Sequence, residues 1–357
     1  MSLADPFAQR AAKSPSFAFL TRERLVLALL ALFLVLVMVG SLSLGRHDVP
    51  FATTLKLAFR ELTGQPIEAQ DKQAAVVLFL IRLPRILMAF LVGAALSVAG
   101  AAYQALFRNP MVAPDILGVS SGAGVGASIA LVLGFSTVGF HFMAFAFGLG
   151  AVFLVLLVTR IVGHGKSLLV MILVGVVISS LFGALGSFIK YLSADDQTLT
   201  AMVLWLMGSF AKSGAWANVP VMLIAFVVGV GPLYLSRWQI NALAFGEEEA
   251  QAMGVSFERL RLLIVCASTV LTASAVALCG LIGWVGLIIP HLARFLVGPN
   301  FGRLMPSVLL GGGLFMVIVD SVVRIILPGE MPVGIVTSLI GAPLFIYVLC
   351  LGRKVWI

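Results

Sequence analysis

The chain has 357 residues, 61% of them hydrophobic and only 11% charged, with a mean hydropathy of +1.13. Soluble domains run at roughly 45–50% apolar and about 25% charged, so a soluble globular protein is excluded. The repeated apolar runs of about 20 residues read as an all-α polytopic membrane protein embedded in a lipid bilayer. The net charge of +8 does not imply nucleic acid. Basic residues belong at the cytoplasmic loop ends of such a protein, and no basic stripe interleaved with aromatics is present.

Residues 1–24 read as a cytoplasmic tail carrying Arg10, Lys13, Arg22 and Arg24, ahead of a membrane domain over 25–357. The first apolar stretch, 25–44, exceeds the roughly 7–15 residues of a signal-peptide core and reads as a retained helix. Further spans are expected at 84–105, 114–134, 139–159, 168–190, 216–235, 260–280, 282–296, 305–326 and 333–350, which makes ten. An outer, periplasmic loop over 45–80 separates the first two. Arg82 and Arg85 flank Pro84, a residue suited to the first turn of a helix. Gly93, Ser97 and Ala101, then Gly118, Gly122 and Gly126, recur every four residues, which lets neighbouring backbones approach closely in a bilayer. Between them lies a polar break at Phe107-Arg108-Asn109-Pro110-Met111. The run 262–295 is too long for one span, and Gly280, Gly283, Gly286 and Pro290 offer places to break it. Gly100–Pro114 and Gly280–Phe295 echo each other weakly, as inverted repeats do.

With the N-terminus inside, 14 of the 23 basic residues fall on the cytoplasmic side and 9 outside, four of them in the long 45–80 loop. Both termini are therefore expected in the cytoplasm. The connector 237–260 is then cytoplasmic. It holds Glu247, Glu248 and Glu249 at a helix start, where carboxylates favour the macrodipole, and Gly254 is a natural stop. Ser256 offers a second start as an N-cap. Asp320 lies one helical turn before Arg324 and reads as half of a structural ion pair, although an intramembrane acid is also a functional suspect.

Cys266, Cys279 and Cys350 lie in apolar segments without metal or disulfide spacing, and the four histidines are isolated, so no metal site is expected. Gly165-Lys166-Ser167 imitates the end of a phosphate loop, but Arg160 stands where the first glycine is required. Gly122-x-Gly124-x-x-Ala127 follows no strand and has no acid about 20 residues on. No nucleotide site is expected in this chain.

The stretches Arg82–Arg85 (RLPR), Gln104–Pro110 (QALFRNP), Ile116–Gly124 (ILGVSSGAG), Leu243–Val255, Gly280–Phe295 and Asp320–Leu349 together resemble the FecCD family of ABC-importer permeases for ferric siderophores, haem and cobalamin. The resemblance covers about Leu25 to the C-terminus. It implies a transport subunit with no bound cofactor of its own. ATP and magnesium would belong to two copies of a partner ATPase, substrate would arrive on a periplasmic binding protein, and a second permease copy or paralogue would complete the path. It further implies that Glu247–Gly254, including Ala250 and Met253, is the ATPase-coupling helix. Arg82, Arg85 and Arg324 become the docking surface for the binding protein. Asn109, Met111, Gly165, Lys166 and Ser167 would narrow the cytoplasmic end of the path. A ferric siderophore is the first expectation for the cargo, with haem, cobalamin and an oxyanion as alternatives. Two other readings stand beside it: an ion-driven secondary transporter, for which Asp320 alone is thin support, and an intramembrane enzyme, which lacks any paired His, Cys or carboxylate constellation.

Overall fold

The computed structural model describes residues 16–45, 47, 49–162, 167–193, 195–211, 214–326 and 331–352. These form fifteen α-helices and no strands among the described residues. In chain order they are α1 (Ser16–Ser43), α2 (Phe51–Thr63), α3 (Lys72–Val76), α4 (Leu83–Leu106), α5 (Val119–Val132), α6 (Thr137–Val162), α7 (Leu168–Leu192), α8 (Asp196–Leu206), α9 (Asn218–Leu235), α10 (Arg237–Ala242), α11 (Glu247–Ala252), α12 (Phe257–Cys279), α13 (Val285–Val297), α14 (Phe301–Ile326) and α15 (Val333–Gly352).

Among the described residues, seven helical segments are long and apolar enough to cross a membrane: α1 from Glu23, the continuous Ala69–Leu106 segment, α6, α7, α9, α12 and α14. Three shorter apolar helices, α5, α13 and α15, occupy the remaining expected spans. Both α5 and α13 would rise only about 20 Å, less than a hydrocarbon core of about 30 Å. Each is preceded by a non-helical leg, at 107–118 and 280–284. Irregular backbone at membrane depth is tolerated when protein shelters it. Here Gly280 runs against the Trp205 carbonyl, and Leu117 and Ile282 are buried. The break expected within 262–295 thus falls at Gly280–Trp284, and Pro290 stays inside α13.

The centre of the molecule is α4 and α12, buried on most sides, with α14 packed along α4. Small residues make that packing possible. A Cβ at Gly93 would collide with the Gly312 carbonyl, and one at Gly312 would collide with Ser97. Gly100 meets the Gly286 carbonyl of α13, and Gly122 and Gly126 meet the Phe147 and Met143 carbonyls of α6. Ala101 is fully buried. Gly118 departs from the expectation of one continuous helix face. It precedes α5 with φ 79° and lies against Ser179 of α7, so it serves the entry turn.

Two stretches are more ordered than the sequence reading allowed. The expected loop 45–80 holds α2, a 3-10 turn at Ala69–Asp71, α3 and a π-helical turn at Val77–Arg82 that runs directly into α4. Pro84 explains the π turn. Proline lacks an N–H and its ring clashes with the carbonyl four residues back, and widening the turn relieves that clash. Between α7 and α9, α8 starts at Asp195, whose carboxylate accepts from the Gln197 and Thr198 amides at 3.2 and 3.0 Å. Ser256 stands at the cap position of α12, but its hydroxyl makes no capping bond.

Candidate functional site

The residues singled out by sequence gather at the two ends of the helix bundle. At the end that the charge split predicts to be outer (the outer end, with the inner end opposite), Asp320 is completely buried on α14 between two arginines. Arg85 Nε is 2.8 Å from its Oδ1, and Arg324 Nε is 3.1 Å from its Oδ2, close but not aligned as a hydrogen bond. Arg324 also donates to the Ser41 and Leu44 carbonyls at 3.2 and 2.9 Å and to the Ser41 hydroxyl. Arg82, at the end of the π turn, donates to the Leu42 carbonyl at 2.6 Å and to the His47 carbonyl at 2.5 Å.

These contacts have one origin. The last carbonyls of any helix lack intrahelical partners and carry partial negative charge, and α1 has no basic residue in its last turn. Arginines from the π turn and α14 supply what α1 lacks. A Ser41–Ser321 hydroxyl bond of 2.8 Å tightens the same joint. At the inner end Arg303 of α14 holds Glu23 of α1 at 2.6 Å. So α1 is pinned to α14 at both ends. Arg82, Arg85 and Arg324, expected at a docking surface, are all buried and bonded within the protein.

At the inner end the turn after α4 places Arg108 at φ 48° and exposes Asn109 and Met111. The Met111 amide donates to the Asn109 side chain at 2.9 Å. Gln104 braces this turn from behind. Its Nε2 donates to the Val112 and Leu287 carbonyls at 3.3 and 3.2 Å, and its Oε1 accepts from Arg294. That joint between the end of α4 and α13 carries no local sequence signal, because Gln104 and Arg294 lie 190 residues apart. Ser167 caps α7, its hydroxyl accepting from the Val170 amide at 3.3 Å. Gly165 and Lys166, the other residues expected near the inner gate, lie outside the described residues.

The acidic connector folds as expected into a short helix. Gly246, at φ 118°, turns the chain into α11, and the Arg108 and Glu249 side chains both lie beside it. Ala250 is buried, while Glu247, Glu248, Glu249 and Met253 are exposed. The Val255 amide closes back on the Ala250 carbonyl at 3.0 Å, with Gly254 at φ 84° in the left-handed conformation that ends such helices. Phe245, missed in the sequence, projects beside the acids and is among the more exposed aromatics. The Asn241 side chain just upstream accepts from the Phe301 amide at 2.7 Å, which ties this connector to the first turn of α14.

A cleft of about 200 Å³ lies between α5, α7 and α8, lined in part by Asp115, Ser120, Ser128 and Lys190. Asp115 Oδ1 accepts from the Ser120 amide at 2.7 Å and so caps the start of α5. Among the described residues no three of His, Cys, Asp or Glu converge.

Residues 32–350 match the FecCD transport family. The chain belongs to that family. It is 42% identical over 316 residues to the molybdate import system permease protein MolB of Haemophilus influenzae, covering 88% of this chain and 92% of that protein. It is 35% identical over 343 residues to the hemin transport system permease protein HmuU of Yersinia pestis, covering 93% and 97%. Its fold matches a solved metal-chelate type ABC transporter in an inward-facing conformation with a TM-score of 0.80 and 39% identity, over 92% of this chain and 99% of the other. The protein is therefore an ABC-importer permease of the FecCD family and a multi-pass protein of the inner membrane.

Proposed function

We propose that this FecCD-family permease carries a metal chelate, with a ferric siderophore as the first candidate, from the periplasm to the cytoplasm. In this reading ten helical segments cross the bilayer with both termini inside. Two copies, or one copy and a paralogue, enclose the path, and a separate pair of ATPases does the hydrolysis. The observation that carries the reading is the exposed ridge at Phe245, Glu247–Glu249 and Met253, set on a short helix whose Ala250 is buried. A short helix with two apolar residues and three acids turned outward fits a groove on a partner protein. Closure of the ATPases would move that ridge, and the Asn241–Phe301 bond gives the movement a route into α14.

At the outer end, the cluster of Arg82, Arg85 and Arg324 would attract acidic residues of a binding protein and orient its docking. Because the guanidiniums already hold α1, the attraction would act through their field rather than through free side chains. Molybdate is the second cargo reading, favoured by the 42% identity to a molybdate permease.

The test is reconstitution of the chain in proteoliposomes with its ATPase and binding protein. Uptake of a labelled ferric siderophore, and none of labelled molybdate, is the expected result, and the reverse would assign the oxyanion. Reversing Glu247–Glu249 to lysine should abolish uptake and ATPase stimulation while leaving membrane insertion intact. Unchanged uptake in that variant would remove the acids from the coupling surface.

A further inference from the structure

The segment between α1 and α4 was expected to be a loop in water, yet α2 is built like a helix that lies on a membrane. At 100° per residue, Phe51, Leu55, Phe59 and Leu62 fall within about a quarter of the helix circumference. They are 52, 48, 61 and 87% exposed. The opposite side is fixed to the protein: Thr54 and Leu57 are fully buried, and Leu57 packs in a small core with Val49, Ala75 and Leu78. Lys56 and Arg60 occupy the flank between the two faces. Lys56 lies 3.1 Å from Glu68 and 3.0 Å from Asp71, and Arg60 pairs with Glu68. Those hydrogen bonds hold the Glu68 carboxyl down at about 2, well below its ordinary range.

The depth of the helix follows from its neighbours. Arg82 bonds the carbonyls at the outer end of α1, and Ala75 and Leu78 lie four to seven residues above it, about 6–11 Å along the helix. The headgroup layer on one side of a bilayer is about 5–8 Å thick. Other apolar side chains at this end of the molecule are exposed too. Leu44, Val76, Leu80 and Ile81 are exposed nearby, and Trp216 donates its indole N–H to the Phe79 carbonyl at 2.8 Å. Tryptophan at the end of a span is the mark of the interface.

We propose that α2 is an interfacial anchor, lying in the outer headgroup layer with Phe51, Leu55, Phe59 and Leu62 turned into the acyl chains. This rests on the membrane reading of the chain and adds to it. It gives the outer end of the bundle a fixed depth, since α2 is clamped through Glu68 and Asp71 to the same helix that carries Arg82 and Arg85. The basic flank is neutralised within the protein, so the anchor depends on apolar area more than on anionic lipid.

The test uses the full chain in lipid nanodiscs, with Cys266, Cys279 and Cys350 replaced and one cysteine introduced for an environment-sensitive fluorophore. Phe59→Cys and Leu62→Cys report on the stripe. Glu61→Cys, exposed on another side of α2 beside the groove with Gly64 and Lys72, is the contrast. Leu32→Cys, exposed on α1, reports the membrane reading separately. Nitroxide-labelled lipid should quench the two stripe labels about twofold or more above Glu61→Cys, with Leu32→Cys also quenched. Quenching at Leu32→Cys alone would place α2 in water and overturn the anchor while leaving the membrane protein intact. Stripe labels untouched by lipid and buried only on addition of the periplasmic binding protein would make the stripe a protein-docking surface. An unquenched Leu32→Cys would overturn both readings together.

Discussion

Asp320 does more for the outer end than any of the arginines around it, because it is the one buried charge that two of them share. Removing it takes from Arg85 and Arg324 the buried anion they both face, and breaking a buried pair in this way typically costs about 3–5 kcal/mol. Asp320→Ala should therefore lower the melting temperature of the purified permease clearly, and Asp320→Asn less, because the amide oxygen can still accept from Arg85. Arg82→Met should be milder than Asp320→Ala, since Arg82 donates to the neutral Leu42 and His47 carbonyls, and its loss does not take the anion from a buried ion pair. Thermal unfolding in nanodiscs measures all three, and an Asp320→Ala protein melting with the wild type would contradict an ion-paired cluster. The Asp320–Arg324 half was readable from its four-residue spacing. Arg85 joins from 235 residues away, which no periodicity carries. The burial of the arginines was equally hidden: a basic residue at the outer end of a span fits a docking surface or a helix cap. The contacts of Arg82 and Arg324 depend on the C-terminal turn of α1, which has no basic residue of its own, a property of another element.

At the scale of elements, apolar runs located helices well and their ends poorly. The helical extension from Ala69 was missed because Gln70, Asp71 and Lys72 make its start polar and Pro84 marks a helix start in the sequence. The π turn lets the helix run past that proline. Gly118 was misplaced for a related reason: its four-residue spacing from Gly122 continues a pattern that the backbone abandons at φ 79°. The other small residues show that the same spacing, where the helix is real, marks backbone contact. Gly100 and Gly150 sharpen the distinction, since both are helical. A Cβ at Gly100 would run into the Gly286 carbonyl, whereas one at Gly150 meets nothing within 4 Å. Overpacking of this kind costs about 1–3 kcal/mol, and backbone cannot rotate away as a side chain can. Gly100→Ala should destabilise the protein by about that amount, and Gly150→Ala should be neutral or slightly stabilising through helix propensity. Equal effects in a thermal-shift comparison would mean that α4 and α13 do not meet at this point.

For the whole molecule, the useful relation is that α14 touches both ends. Its first turn is held by Asn241 of the acidic connector, and its last turns carry Asp320 and Arg324. A single rigid helix therefore links the ridge proposed for the ATPase to the cluster proposed to attract the binding protein. That relation has meaning only if the two ends lie on opposite sides of the membrane, which the 14-to-9 split of basic residues predicts. Asn109 and Met111 are exposed at the same end as the connector, and Gln65 is exposed at the other end beside α2. In a background lacking native cysteines, Asn109→Cys and Met111→Cys should react with a membrane-impermeant thiol reagent only in inside-out vesicles. Gln65→Cys should react only in right-side-out vesicles. All three positions lie outside the buried core, so the substitutions leave packing intact and the reagent reads topology alone. The reverse pattern would invert the chain in the membrane. Glu247–Glu249 would then face the periplasm, away from any ATPase, and the buried arginines would sit where no periplasmic protein could reach them.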